Sequence, residues 1–263
     1  MSQSSNSTPK SLEWIGRHAD KDALRTQVWT VLKTQDAVRR DPFGHIPNFI
    51  GAELAADRLA DLAIWQRANV IKCNPDSPQR PVRLRALQDG KALYMAVPQL
   101  TRKQCFVELT AEALATQGIA LETAATMRNA LIHGRLVSFE EMRPIDLVVA
   151  GCVAVSPDGG RTGKGAGFAD LELAMMAQFG LIRAETPIVT TVHSLQVVEP
   201  TQLPMQPHDW PLDWIITPNA EIETKTPYPR PKGLDWEAIR PDQYKKIPIL
   251  RSLRPKDQPS NPI

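Results

Sequence analysis

The chain has 263 residues, 42% hydrophobic and 23% charged, with a formal net charge of +2. That is ordinary globular composition, enough for one large α/β domain or two small ones. The near-neutral balance gives no electrostatic case for a nucleic-acid partner, and no apolar run reaches the length of a membrane span.

The polar opening MSQSSNSTPK lacks an apolar signal core. Cys73, Cys105 and Cys152 are widely separated and odd in number. Neither a metal site nor a disulfide framework follows, and a reducing cytoplasm fits this usage.

Residues 1–20 read as a loose leader with an amphipathic turn around Leu12, Trp14 and Ile15. A first helix starts in the acidic stretch Asp20-Lys21-Asp22, with Leu24, Val28, Val31 and Leu32 as its apolar stripe. Lys21 and Arg25 lie four apart and extend from one side of it, a spacing equally suited to a solvated face. Asp41-Pro42-Phe43-Gly44 is a turn. A second helix spans about 52–67, with Leu54, Leu59, Leu62, Ala63 and Trp65 as buried positions.

Val70 to Cys73 is a first strand, ended by Asn74-Pro75-Asp76-Ser77-Pro78. A short helix over 82–88 and an Asp89-Gly90 turn lead to a second strand, Leu93 to Val97. Helix then strand, twice over, predicts parallel crossovers and an open α/β sheet. Residues 103–143 carry scattered apolar positions and read as short helices and loops. His133 fits a structural, hydrogen-bonded role, because nothing near it completes a nucleophile–base set.

The most informative stretch is 145–176. Leu147 to Gly151 is a buried strand, and Ser156 to Gly160 is rich in turn residues. Gly163-Lys164-Gly165-Ala166-Gly167 then opens a helix whose apolar face holds Phe168, Leu171, Leu173, Ala174 and Met175. Strand, glycine loop and helix make a phosphate-binding layout: backbone N–H groups converge on one concavity, and the helix start adds unpaired donors. Arg161 and Lys164 bracket the loop as charges for an anion. Asp170, in the first helical turn, suits the helix dipole and could hold a phosphate-bound metal. The spacing is neither GxGxxG nor the P-loop pattern, so a plain connection with solvated charges stays open beside it.

Residues 187–193 form another buried strand, followed by a proline-rich crossing to His208-Asp209. Trp214 to Thr217 is the last strand. Asp213 stands at its entrance, where aspartate is poor β chemistry and a polar task is expected. His208-Asp209 alone suggests a metal-dependent phosphohydrolase, but His18, His45, His133 and His193 are not spaced to complete one. From 225 to 263 prolines are too frequent for a core, which predicts a wrapping or flexible tail behind a domain of residues 21–224.

Three ordered blocks then carry a family resemblance. They are Lys21-x-x-Leu24-Arg25, then Arg161-x-Gly163-x-Gly165-x-Gly167-Phe168-x-Asp170 behind the strand at 145–149, and last His208-Asp209-x-x-x-Asp213-x-Ile215-x-Thr217. Together they resemble the 5-formyltetrahydrofolate cyclo-ligase (methenyltetrahydrofolate synthetase) family. Asn74 to Pro78 and the run from Gly163 to Glu172 look like its divergent branch of methenyltetrahydrofolate synthetase domain-containing proteins. The resemblance implies a fold of the NagB/RpiA/CoA-transferase type, an open, mostly parallel sheet flanked by helices.

It also implies ATP and Mg2+ use in closing 5-formyltetrahydrofolate to 5,10-methenyltetrahydrofolate. Transferred by position, Lys21, Arg25, Arg161, Gly163, Lys164, Gly165, Ala166, Gly167, Phe168 and Asp170 bind the nucleotide. Arg161 and Lys164 act in catalysis, and Asp170 and Asp213 hold Mg2+. The family's paired aromatics after the loop are here Phe168-Ala169, and its folate-binding glutamate and threonine are replaced around His45 to Glu53. Three readings therefore stand: a cyclo-ligase acting on a reduced folate, a related ATP-using enzyme on another, thiamine-linked substrate, and a nucleotide-binding protein without catalysis. Vertebrate members of the branch add an RNA-recognition module, for which no aromatic signature or basic platform follows residue 220, so no nucleic-acid partner is expected.

Overall fold

The computed structural model describes residues 18–254, so the turn expected around Leu12 to Ile15 lies outside the described residues. Helix α1 (Ala19–Thr34) leads into α2 (Ala52–Asp61), α3 (Ala63–Arg67) and strand β1 (Val70–Cys73). Helix α4 (Arg80–Gln88) crosses to β2 (Ala92–Ala96). Strand β3 (Phe106–Leu109), helices α5 (Ala111–Thr116), α6 (Leu121–Ala124) and α7 (Met127–His133), and strand β4 (Arg135–Val137) follow.

Strand β5 (Leu147–Ala150) precedes a small hairpin, β6 (Ala154–Val155) with β7 (Arg161–Thr162). Helix α8 (Phe168–Gln178) returns the chain to β8 (Ile188–Thr191), then β9 (Trp214–Ile216) and β10 (Glu221–Glu223). Two short helices, α9 (Pro241–Lys246) and α10 (Pro248–Leu253), close the described chain.

Eight strands form one sheet in the order β10-β9-β8-β5-β1-β2-β3-β4. The five strands from β9 to β2 are parallel, and β10, β3 and β4 are antiparallel at the two edges. This is a mostly parallel, mixed α/β sheet with flanking helices. Crossover helices cover both faces, so the parallel strands are buried almost throughout and read as largely apolar runs.

Alternation along the strands splits the core in two. Ile71, Leu93, Leu147, Val149 and Val189 point to the face of α2 and α4. Val70, Tyr94, Val148, Ala150 and Ile188 point to the face of α8. A third cluster joins Leu24, Val28, Trp29 and Leu32 of α1 to Val153, Ala154 and Leu203. The first helix is thereby fixed beside the hairpin rather than on the sheet.

Four details differ from the sequence reading. The helix expected over 52–67 breaks at Leu62, whose ψ of 144° is extended. The buried stripe of α2 is the small set Ala52, Ala55, Ala56, Leu59 and Ala60, while Leu54 points outward and is 59% exposed. Residues 103–143 hold two strands as well as short helices. At four and three residues, β3 and β4 are too short to show a clear period of two, and pairing with β2 decides their conformation. The turn-rich segment after β5 contains the β6–β7 hairpin.

Over residues 225–254 the proline-rich C-terminal segment wraps against the domain. Pro241 and Pro248 each sit at the start of a helix, where a missing N–H costs nothing. Ile239, Ile247, Ile249 and Leu250 join the core on the α8 face. Their backing lets a segment with many prolines hold one conformation.

Candidate functional site

The strand order sets where a site can form. From β1 the chain crosses through α4 to β2 on one side, while β5 lies against β1 on the other. Open parallel sheets bind ligands outside the carboxyl ends of their strands at such a switch point. A cavity of about 720 Å3 lies there, lined by Asn74 and Asp76 after β1, Val97 after β2 and Gly151 after β5. The glycine loop of residues 163–167 forms another wall.

The loop's shape depends on its glycines. Gly165 has φ of 101° and Gly167 of 73°, a region that L side chains enter only at a cost. At Gly163 an added Cβ would meet nothing within 4 Å, so the backbone is open there. Among the described residues, the amides of Gly163, Lys164 and Gly165 donate to no acceptor. Gly167 caps α8, placing the first turn of that helix at the cavity wall.

Basic residues from distant parts of the chain fix this loop. Arg25 donates from Nε to the Gly163 carbonyl at 2.7 Å, from Nη2 to Thr162 Oγ1 at 2.8 Å and from Nη1 to Asp22 at 2.6 Å. Burial lowers the pKa of its guanidinium, against the pull of Asp22 and Asp209. Arg161 donates from Nε to the Trp210 carbonyl at 2.6 Å and is ion-paired through Nη2 to Asp170. The same Asp170 oxygen, Oδ1, accepts from the Trp210 amide at 2.9 Å. Burial opposes the charge on Arg161, but Asp170, Cys152 and Asp209 together hold it above its usual pKa. Burial pushes the Asp170 carboxyl up; Arg161 opposes this and Asp209 reinforces it.

Lys21 is ion-paired with Asp209, whose carboxylate also accepts from the Gln206 amide at 2.7 Å. Lys164, more exposed, pairs with Asp76 at 3.0 Å across the cavity. The turn carrying Asp76 is itself held. Arg83 donates to the carbonyls of Asn74 at 2.6 Å, Asp76 at 2.9 Å and Ala125 at 2.8 Å.

Lys21, Arg25, Arg161, Lys164, the loop residues, Phe168 and Asp170 thus all line one cavity. Asp213 does not. It lies at the opposite, amino-terminal end of the parallel strands, accepting from the Ile188 amide at 2.7 Å and from Arg230 at 2.5 Å. At about 3.3 Å per residue, the intervening strands keep it from sharing an ion with Asp170. The polar task expected at that strand entrance is the capping of β8. Asp209, from the same sequence block, is the carboxylate that reaches the cavity.

Several cavity residues carried no signal of their own in the sequence. Glu172 lines the wall and is ion-paired with Lys72, which also donates to Asn74 Oδ1 at 2.5 Å. Lys72 is 1% exposed in an otherwise apolar strand. A lysine there could have flagged a buried partner, since such charges are rarely left unpaired. Burial pushes the Glu172 carboxyl up, with Lys72 opposing.

The donor set can be tested against a nucleotide phosphate with Mg2+. Open loop amides, Lys164 and a helix start suit a polyanion. Among the described residues no group of three or more His, Cys, Asp or Glu forms a metal cage. Asp170 keeps Oδ2 outside the bonds given above, and Asp209 stands near. That suits a magnesium ion carried mainly by phosphate oxygens and water. The residues fit such a group.

Fold and cavity define an α/β protein with a glycine-loop site at the carboxyl ends of a parallel sheet. The chain belongs to the 5-formyltetrahydrofolate cyclo-ligase family, whose sequence model matches residues 17–218. It is 39% identical over 240 residues to the human methenyltetrahydrofolate synthase domain-containing protein and 37% identical over 246 residues to that of Danio rerio. These alignments cover 90% and 93% of this chain, and 62% and 64% of those proteins. The chain therefore spans under two thirds of the length of these relatives. Its fold is also similar to the 5,10-methenyltetrahydrofolate synthetase of Aquifex aeolicus, with a TM-score of 0.50 and 17% identity over 83% of this chain and 99% of that one. Among the described residues no helix is long and apolar enough to cross a membrane.

Proposed function

We propose that the protein is an ATP- and Mg2+-dependent cyclo-ligase that closes 5-formyltetrahydrofolate to 5,10-methenyltetrahydrofolate, releasing ADP and phosphate. The observation carrying this reading is the convergence of the open glycine loop, Lys164 and the Arg161–Asp170 pair on one cavity. MgATP would supply a phosphoryl group to the formyl oxygen, which leaves as phosphate once N10 has bonded to the formyl carbon.

The chain's residues then have positioning and charge neutralisation as their main work. The amides of Gly163 to Gly165 and the start of α8 would bind phosphate oxygens. Lys164 would leave Asp76 to neutralise charge that develops as the phosphoryl group moves. Arg25 holds the loop backbone in the receiving shape, and Arg161 fixes the carboxylate of Asp170 beside it. Asp170, with Asp209 near, would hold the magnesium ion. The cytoplasm is the compartment proposed for this chemistry.

The test is an absorbance assay with 5-formyltetrahydrofolate and MgATP, following the methenyl product. Signal that needs both magnesium and ATP is expected. A flat trace from folded, ATP-binding protein would remove the folate assignment. One observation favours a second reading: Ala169 lines the cavity where the family carries its second aromatic. In that reading the same phosphate site serves another substrate, and substrate-dependent ADP release on a metabolite panel would identify it.

A further inference from the structure

The residues already placed at the glycine loop are mostly braces. Lys21, Arg25 and Arg161 are each bonded to carboxylates or carbonyls that keep the hairpin and loop in shape. Lys164 is the loop's own cation toward the cavity, and it is shared with Asp76. The segment beyond the family match, which ends at residue 218, brings further groups to the same loop.

Gln243, only 2% exposed, donates from Nε2 to the Ala166 carbonyl at 2.7 Å. Its Oε1 accepts from the Arg240 amide at 3.0 Å, which locks the start of α9. A Cβ at Gly167 would come within 3.0 Å of Gln243 Nε2 and 3.8 Å of Arg240 Nη2, so the strap and the loop are in near contact. Arg240 lines both the main cavity and a small side cavity that it shares with Asp170 and His208. Ile239, Ile247 and Leu250 anchor the strap in the core on either side.

We infer that this C-terminal strap completes the phosphate site: Arg240 contacts the bound polyphosphate, and Gln243 is a positioning residue that sets the loop through Ala166. The inference rests on the glycine-loop reading above. A planar guanidinium suits phosphate oxygens, and a charge-assisted hydrogen bond is among the stronger polar contacts. An anchored strap also presents it with little left to order on binding.

The test uses full-length protein and titration calorimetry with MgATP, inorganic tripolyphosphate and adenosine, with thermal unfolding as the fold control. Arg240→Ala is expected to weaken MgATP and tripolyphosphate by about 10- to 100-fold, the range of one charged hydrogen bond, and to leave adenosine unchanged. Arg240→Lys should recover part of that loss. Gln243→Ala should weaken MgATP at constant ionic strength, and Gln243→Glu should not restore it, since a carboxylate cannot donate to the Ala166 carbonyl. Wild-type affinity in Arg240→Ala, beside a clear loss in Lys164→Ala, would overturn this inference and leave the glycine-loop reading intact. Arg240→Ala protein that melts earlier yet binds normally, or loses adenosine and tripolyphosphate alike, would reduce the strap to a structural role. Wild-type protein that binds neither MgATP nor tripolyphosphate would overturn both.

Discussion

Arg25 and Gly163 are 138 residues apart in sequence, yet the Arg25 Nε–H donates to the Gly163 carbonyl at 2.7 Å. The bond ties the first helix to the glycine loop. Two further donors of the same guanidinium hold Thr162 and Asp22, so one rigid fork sets three groups at once. Arg25→Ala should destabilise the fold by about 1–3 kcal/mol and weaken MgATP binding, because a buried carbonyl and hydroxyl lose their partners. Arg25→Lys should recover little, since an ammonium cannot reproduce the fork. Urea unfolding and calorimetry on both variants check this. Full recovery by lysine would show that charge alone, not geometry, is what Arg25 supplies.

Lys164 and Asp76 make a contrasting pair. Their side chains are 36% and 16% exposed, and such partly solvated pairs add about 1 kcal/mol or less. Lys164→Ala should therefore leave the melting temperature nearly unchanged while weakening MgATP at least about tenfold, one charged contact to phosphate. Asp76→Asn should do the opposite and strengthen binding, because phosphate no longer competes for the ammonium. A loss of affinity in Asp76→Asn would mean that the carboxylate contributes to the bound state instead.

The Lys72–Glu172 pair is buried, with side chains only 1% and 6% exposed. Removing one partner leaves a charge in the core, so Lys72→Met or Glu172→Gln should each cost about 3–5 kcal/mol. The double variant Lys72→Met/Glu172→Gln should cost clearly less than the two single costs combined. A double-mutant cycle from denaturant unfolding gives the answer. Strict additivity would show that the two side chains do not depend on each other.

Asp213 offers a negative control for the metal assignment. Its carboxylate bonds the Ile188 amide and Arg230 at the far end of the sheet. Asp213→Ala should lower stability by about 1–3 kcal/mol through the unpaired amide and guanidinium, with magnesium-dependent ATP binding unaltered. Asp170→Asn, by contrast, should weaken the magnesium dependence. Equal loss of magnesium dependence in both would return Asp213 to the site.

Burial pushes the Cys73 thiol up to about 11 and the Cys105 thiol up to about 12, from 9.0. Both stay protonated in the folded protein at pH 8 and should resist thiol reagents until the chain unfolds. The pH dependence follows from the sign of the shifts. Above pH 9 the unfolded chain releases thiol protons that the native state retains, so this contribution to stability is whole below pH 9. It falls as pH rises toward 11 and 12, by about 1.4 kcal/mol per pH unit for each thiol. Chemical denaturation of wild type and a Cys73→Ala/Cys105→Ala variant across pH 8 to 11 would reveal the difference in slope. Parallel curves would show that the thiols contribute nothing to it.

Local chemistry by itself determined the parallel strands, the glycine loop and the helix it opens. Each is written in neighbouring residues: runs of β-branched side chains, alternate glycines, an acid in a first turn. The three blocks holding Lys21, Arg161 and Asp209 were legible through their resemblance to a known family, not through local chemistry. Tertiary structure decided what the chain's local pattern could not. Asp209 and Asp213 are four residues apart in one block, yet the climb toward β9 sends one to the cavity and the other to the far end of the sheet. Lys72 reads as a misfit in an apolar strand until α8 brings Glu172 over it. The prolines beyond residue 225 left a wrapping or a flexible tail equally open; Ile239, Ile247 and Leu250 find a core to bury in and hold Gln243 on the loop. Such pairings join residues 25, 77 and 100 positions apart. Only burial against a distant partner fixes them, and no local pattern encodes that.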